Sequence, residues 1–246
     1  MARVGIGTDL EGYHAVRAAV AAGRVTALAV ESGRMRRPEI AEIVDQARAA
    51  GARVEVVDDV RDRAVTGAPQ GIVATARPLP TVSIKEMVAA EGTPALLVVD
   101  HIEDPRNIGA AARSALASGM SGLVVSHNRS APLGATAFKA AVGALEVLPV
   151  ASVSSIPDAL KRLSQLGVWC VGLDGIADRS LLGLDLLALP VAVCVGAEGS
   201  GLSKLVAERC DVIARIPMVG DAESLNASVA SAIACYEVAR VRGWVS

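Results

Sequence analysis

The chain has 246 residues, enough for one large domain or two small ones. Hydrophobic residues make up 52% and charged residues 20%, which excludes a disordered chain, and a formal net charge of −2 excludes a strongly basic nucleic-acid binder. Aromatic residues are only 2%, so a contact with nucleic acid cannot rest on a base-stacking platform. No apolar run reaches the roughly 18 residues of a membrane span, and the N-terminus lacks a signal-peptide core. A soluble, cytoplasmic protein with no membrane partner is expected. The four cysteines, Cys170, Cys194, Cys210 and Cys235, form no C-x-x-C pair. They read as buried free thiols of a reducing compartment rather than as zinc ligands or disulfides.

Residues 1 to about 77 predict a small α/β unit. Apolar residues at helical spacing run from Glu11 to Ala22, and Gly23 stops them. Val25 to Val30 predicts a strand, Pro38 to Ala50 a helix, and Ala52 to Val57 a second strand. A short helix over Asp58 to Val65 and a strand over Ile72 to Ala76 complete three or four strands. His14 reads as a capping or core histidine ahead of a substrate contact, and Gln70-Gly71 as an ordinary turn. The run Arg34-Met-Arg36-Arg37 reads as a solvated loop that would suit phosphates if RNA were the ligand. Arg77-Pro-Leu-Pro80 cannot continue a helix or a central strand. Residues 78–93, with a helical segment from Ser83 to Ala90, are therefore expected to be a partly flexible linker.

From residue 94 to 246 strand and helix patterns alternate, which predicts a parallel sheet covered on both faces. Strands are expected at Leu96 to Val99 (continuing to Ile102), Leu123 to Val125, Val147 to Val150 and Val168 to Val171. Helices are expected after Asn107, which reads as an N-cap, at Ala135 to Ala144 and at Pro157 to Gln165. The alanine-rich stretch that carries Arg113 predicts a very close neighbour. The most informative stretch is 191–242. A fully apolar strand, Val191 to Val195, leads into Gly196-Ala-Glu198-Gly199-Ser-Gly201. An amphipathic segment (Leu202 to Cys210), a strand (Val212 to Ile216), and Ser224-Leu-Asn226-Ala-Ser228 opening a last helix to about Arg242 follow. Turns and small polar residues thus sit at the carboxyl ends of strands, where α/β sheets bind ligands.

The glycine-rich turn fits neither common phosphate cradle. A P-loop needs Lys after Gly201, where Leu202 stands. A dinucleotide fingerprint needs G-x-G-x-x-G, and here the order is G-x-x-G-x-G. Glu198 would also repel a pyrophosphate at short range. A neutral or cationic ligand suits the loop better, and S-adenosylmethionine, with a sulfonium and no phosphate, is one.

Three blocks stand together: Asn107-x5-Arg113, Gly196-Ala-Glu198-Gly199 and Ser224-Leu-Asn226-x-Ser228. In content and order they resemble the motifs of the SpoU (TrmH) family of RNA ribose 2′-O-methyltransferases, within the SPOUT superfamily. The resemblance covers about residues 94–242. Gly12-Tyr-His14-Ala-Val, Gln70-Gly-Ile-Val-Ala, Arg129-Ser-Ala and Ala141-Val-Gly-Ala-Leu-Glu146 are similar to the bacterial 23S rRNA guanosine 2′-O-methyltransferase branch. There a ribosomal-protein-L30e-like substrate-binding domain precedes the catalytic one.

The resemblance implies an α/β-knot, a mostly parallel sheet whose C-terminal segment is threaded into a trefoil knot, against the general rule that chains stay un-knotted. It implies S-adenosylmethionine bound in the knot with no metal, contacts from Gly196, Ile216 and Leu225, and lesser ones from Gly172, Met218 and Ser224. It implies an RNA substrate, 23S rRNA foremost, and a homodimer with the active site near its interface, for which the 110–117 and last helices offer a face. Arg113 is assigned to the ribose hydroxyl and adjoining phosphate. Arginine stays protonated in proteins, so orienting the phosphate and stabilising the developing alkoxide suits it better than a base role. Asn107, Glu198, Ser224 and Asn226 would fix Arg113 and the ribose, with Glu198 paired to Arg113. Two other classes remain open: a non-catalytic RNA-binding ribosome-assembly factor, and a nicotinamide-dependent oxidoreductase, which the glycine order disfavours. A tRNA guanosine or a 23S rRNA adenosine are the alternative targets.

Overall fold

The computed structural model describes residues 5–128, 130–219 and 224–243. Arg129, singled out above, lies outside the described residues.

Residues 9–76 build a four-stranded sheet in the order β1-β4-β2-β3. Its strands are β1 (Asp9–Glu11), β2 (Val25–Glu31), β3 (Arg53–Val57) and β4 (Ile72–Ala76). Only β2 and β3 run parallel; β1 and β2 pair with β4 antiparallel. Helices α1 (Tyr13–Ala21) and α2 (Pro38–Ala49) bury Ala15, Val16, Ala19, Ile40, Ile43 and Val44. Glu11, expected in the first helix, sits in β1 instead. Its carboxylate is buried and receives the backbone N–H groups of Val65 and Thr66. That stretch was expected to be helical, yet only a 3₁₀ turn at Arg61–Arg63 forms.

The second sheet has seven strands in the order β7-β6-β5-β10-β8-β11-β9, every neighbouring pair parallel. They are β5 (Ala95–Val99), β6 (Gly122–Ser126), β7 (Val150–Val153), β8 (Trp169–Leu173), β9 (Arg179–Ser180), β10 (Val191–Val195) and β11 (Val212–Arg215). β5 and β10 lie centrally and every residue of both is buried, as their unbroken apolar runs demand. The helices are α3 (Ile84–Ala89), α4 (Pro105–Ala117), α5 (Ala135–Ala141), α6 (Ile156–Gln165), α7 (Lys204–Arg209) and α8 (Ala227–Val241).

Several boundaries differ from expectation for identifiable reasons. β5 stops at Val99 because His101 adopts φ +55°, which no strand tolerates. α4 starts at Pro105 because Asp104, not Asn107, accepts the Arg106 N–H as N-cap. α5 ends early at Val142 and Gly143, both left-handed, which displaces β7 from 147–150 to 150–153. β9 is two residues long and left no pattern to read.

The close neighbour of α4 is α5. A Cβ on Gly109 would overlap the carbonyl of Ala137. Ala111, Ala112 and Ala115 are buried within this chain, so those alanines serve internal packing rather than a partner.

The linker does not span solvent. α3 carries a full capping box between Ser83 and Glu86. Its Ile84 and Met87 are buried in a cluster with Leu96, Val98 and Val124 of the large sheet. The small sheet packs on the large one through a shared apolar core that includes Leu10, Val30, Phe138 and Leu145. Arg24 crosses that junction. Its guanidinium pairs with the buried Glu146 carboxylate (Nε to Oε2, 2.8 Å), donates to the carbonyls of Gly7 and Arg77, and lies over the Phe138 ring. Glu146→Ala leaves that guanidinium buried and unpaired, so stability should fall by about 3–5 kcal/mol, read as a lowered midpoint in urea unfolding. Replacing both partners with apolar residues of similar size should cost less.

Candidate active site

The site forms where β10 and β8 end. After Val195 the chain turns sharply at Gly196, where a Cβ would overlap the Gly201 carbonyl and Leu202 N. Ala197 and Gly201 exchange both backbone hydrogen bonds, at 3.0 and 2.9 Å. Gly199 and Gly201 take φ of +78° and +65°, a region that glycine enters without steric cost. The glycines thus fold residues 196–201 into a narrow hook with bare backbone on its inner side.

The hook borders a cavity of about 270 Å³. Leu173 to Ile176 after β8 form a second wall, and Ile216, Met218, Ser224 and Leu225 a third. Two carboxylates, Asp174 and Glu198, stand at this cavity, and among the described residues no Lys or Arg lines it. Bare backbone with acidic edges fits a sulfonium-bearing ligand and opposes a pyrophosphate.

At the rim, one carboxylate oxygen gathers three chain segments. Glu198 Oε1 receives Asn107 Nδ2 at 2.6 Å, Asn226 Nδ2, and the Ala227 N–H at 3.4 Å. Asn226 Nδ2 also reaches Asn107 Oδ1 at 3.2 Å. Asn226 is the N-cap of α8: its Oδ1 accepts from the N–H groups of Ser228 (2.9 Å) and Val229 (3.3 Å), and from Ser228 Oγ (2.6 Å). The Glu198 charge therefore rests against the positive end of a fifteen-residue helix. Its Oε2 takes no hydrogen bond from a described residue and faces open space at the exposed rim.

A family model described as the SpoU rRNA methylase family matches residues 94–236. The chain belongs to that family. A second model, RNA 2′-O ribose methyltransferase substrate binding, matches residues 10–82. The 23S rRNA (guanosine-2′-O-)-methyltransferase RlmB of Ralstonia nicotianae is 37% identical over 242 residues, covering 96% of each chain. That of Pseudomonas aeruginosa is 40% identical over 201 residues, 79% of this chain and 81% of the relative. Among solved structures, the SpoU methyltransferase AviRb from Streptomyces viridochromogenes in complex with AdoMet superposes with a TM-score of 0.80. It is 25% identical, covering 95% of this chain and 89% of that one.

Within this SpoU-family site, most expected residues meet. Gly196, Ile216, Met218, Ser224 and Leu225 line the cavity, and Asn107, Glu198 and Asn226 form one network. Ser224 makes no hydrogen bond to them and belongs to the cavity wall. Gly172 does not line the cavity: an added Cβ there would meet Ile213, Leu202 and Cys210 side chains, so its smallness serves packing. Asp174 and Ile176, which follow it, do line the cavity, and no motif in the sequence marks them; their place beyond the end of β8, beside β10, was the available signal.

Arg113 does not reach Glu198. It stands six residues beyond Asn107, about 9 Å along the helix and about a third of a turn round it. Arg113 is exposed, with no ion pair among the described residues, and lines a separate hollow of about 550 Å³ with Arg17, Gln46 and Val147. In the small sheet, Gly12 and Gln70 come together: the Gly12 N–H bonds the Ile72 carbonyl, and Gln70 Oε1 lies against Gly12. His14 is exposed and stacks edge-on with Tyr13, neither cap nor core.

Gly196→Ala should lower affinity for S-adenosylhomocysteine more than tenfold in calorimetry, because its Cβ meets backbone that cannot yield. Gly172→Ala meets side-chain ends instead. It should cost about 1–3 kcal/mol of stability as an overpacked site and retain most of that affinity.

Proposed function

We propose that this protein transfers a methyl group from S-adenosylmethionine to the ribose 2′-oxygen of an RNA nucleotide, a guanosine of 23S rRNA. The observation that carries this reading is the Glu198–Asn107–Asn226 network at the mouth of a backbone-lined cavity free of cations. The RlmB relatives, of which that of Ralstonia nicotianae covers 96% of the chain, support the rRNA guanosine as target.

S-adenosylmethionine, when bound, supplies an electrophilic methyl on a good leaving group. The chain must then hold a ribose hydroxyl in line with that methyl and manage the hydroxyl proton. Asn107 and Asn226 donate to Glu198 and so fix its carboxylate, leaving Oε2 to orient the ribose. Ile216, Met218 and Leu225 give the cavity its apolar wall, and Gly196 and Ser224 its close backbone and polar edge. Arg113 grips the phosphate beside the ribose and stabilises the alkoxide as it develops. No metal takes part.

In this reading residues 1–77 hold the RNA, 78–93 link, and 94–246 carry the chemistry, with the C-terminal segment threaded as the family knot. The chain works in the cytoplasm, and among the described residues no helix is long and apolar enough to cross a membrane. It acts as a homodimer. The outer face of α8 presents Val229 and Tyr236, nearly half exposed, each about one turn from Ile233, and a second copy covers them. That pairing accounts for the placement of Arg113, which serves the site of the other protomer.

Arg113→Ala should abolish methyl transfer to a 23S rRNA fragment while leaving S-adenosylhomocysteine affinity intact; retained turnover would remove Arg113 from the mechanism. Labelled-cofactor assays on rRNA and tRNA in parallel identify the substrate. Mixing and refolding inactive Arg113→Ala with inactive Asn226→Ala should restore about a quarter of wild-type activity if each site draws on both protomers of a two-fold dimer. No recovery means that each site uses its own Arg113.

A further inference from the structure

On the far side of the hook lies a second, larger cleft of about 960 Å³, open at the carboxyl ends of β5, β6 and β7. Residues 196–203 separate the two spaces: Glu198 faces the cofactor cavity and Ser203 the cleft. The β5–α4 loop also serves both, with His101 in the cleft and Asn107 in the network six residues on.

The cleft is built from donors. His127 and Asn128 follow β6 and are pinned to the end of β7: His127 N–H bonds the Val153 carbonyl at 3.0 Å, and Asn128 Nδ2 the Ser154 carbonyl at 3.2 Å. Both side chains are exposed. Ser155 caps α6, whose first turn opens on the cleft. Lys204 opens α7 with its ammonium exposed; its neighbour Glu208 lies 3.9 Å away on the helix surface, a contact of small worth.

Among the described residues, one carboxylate lines this cleft, and it is already hydrogen-bonded. Asp100 is fully buried and bonds His101 Nδ1 with one oxygen and the Ser203 N–H, at 2.9 Å, with the other. Both of its oxygens are thus engaged by donors, and by holding His101 at Nδ1 it leaves Nε2 without a hydrogen bond from a described residue. His101 also holds a left-handed backbone, φ +55°, a conformation disfavoured for non-glycine residues and concentrated at functional sites. Of the other acids nearby, Glu103 points to solvent and Asp158 lies inside the first turn of α6 beyond the cleft lining.

We propose that this cleft is a phosphodiester-binding subsite that holds the RNA strand next to the methylated nucleotide, with His101, His127 and Lys204 as its cationic and hydrogen-bonding groups. The inference rests on the RNA methyltransferase reading. It supplies what the net charge does not, a local anion site within one loop of the ribose. A strand whose ribose sits at Asn107 and Glu198 crosses the β5–α4 loop directly into it.

The test uses the full chain and a 23S rRNA fragment that the wild-type protein binds, with binding followed by fluorescence anisotropy over a series of KCl concentrations. For the His127→Ala/Lys204→Ala double variant, RNA affinity should fall at least fivefold. The slope of log K against log[salt] should become shallower by roughly 0.7–0.9, because the phosphate neutralised by Lys204 is released. S-adenosylhomocysteine affinity should not change, and the loss of turnover should appear in KM for RNA rather than in kcat. His101→Asn keeps a residue that tolerates the left-handed backbone and a donor for Asp100. Its Tm should hold while RNA affinity falls. Lys161→Ala, an exposed lysine on α6 outside the cleft, is the control. Unchanged affinity and salt slope in the double variant, or an equal change in the control, overturns the subsite. If wild type binds RNA but transfers no methyl to any RNA, the enzymatic reading fails instead, and the binding series still judges the cleft.

Discussion

The site depends on how many donors one carboxylate oxygen can gather. Glu198 Oε1 takes an amide from residue 107, an amide from residue 226 and the first N–H of α8. Residue 107 lies far in sequence from residues 226 and 227, and ordering them against each other costs chain entropy that no single hydrogen bond repays. Three bonds to one charged acceptor, backed by a helix dipole, do better. The network therefore fixes the hook, the start of α4 and the start of α8 together. The cavity walls follow from that: Ser224 and Leu225 sit where they do because Asn226, one residue later, is held at Glu198.

The same logic joins the two sheets. Arg24 enters at the start of β2 and finds its partner, Glu146, 122 residues on, after α5. Both side chains are almost wholly buried. Desolvating two ions is expensive, and the geometry offsets it with a bidentate pair, two carbonyl acceptors and an aromatic face. A buried pair of this kind is poor evidence for extra stability and good evidence for register: the small sheet can dock on α5 in few other ways. With α3 packed under the large sheet, the Pro-bounded stretch between the two family matches acts as a brace.

Much of this was legible because strands and glycines leave local marks. Val191 to Val195 reads as a buried central strand from its own residues, and Gly196 as a forced turn. The three blocks were legible through their resemblance, in content and order, to SpoU-family motifs. What the residues could not disclose is which far-off groups meet. Arg113 and Glu198 carry opposite charges and were expected to pair, but helix geometry turns Arg113 away and two neutral amides take its place. Asn107 looked like a cap because asparagine caps helices; Asp104 was the better-placed acceptor, and Pro105 fixed the start. Gly172 was offered as a ligand contact by the family resemblance, whereas the side chains of Ile213, Leu202 and Cys210 crowd it. β9, at two residues, carries no periodicity to find.

Net charge misleads for a related reason. It counts carboxylates that are already spent. Glu146 is consumed by Arg24, Glu11 by the backbone of Val65 and Thr66, and Asp100 by His101 and Ser203. The Arg240 guanidinium holds the Glu237 carboxyl below its ordinary range, and the Gly183 N–H donates to its Oε1. Where a carboxylate meets a cation, as Glu146 meets Arg24, the two charges cancel locally, while exposed cations such as Arg113, Arg36, Arg37 and Lys204 stay within reach of an anion at the surface. An anionic polymer meets that surface field and not the sum over the sequence. A chain of formal charge −2 can thus present local anion-binding faces, while the cavity beside the hook carries Asp174 and Glu198 and, among the described residues, no Lys or Arg.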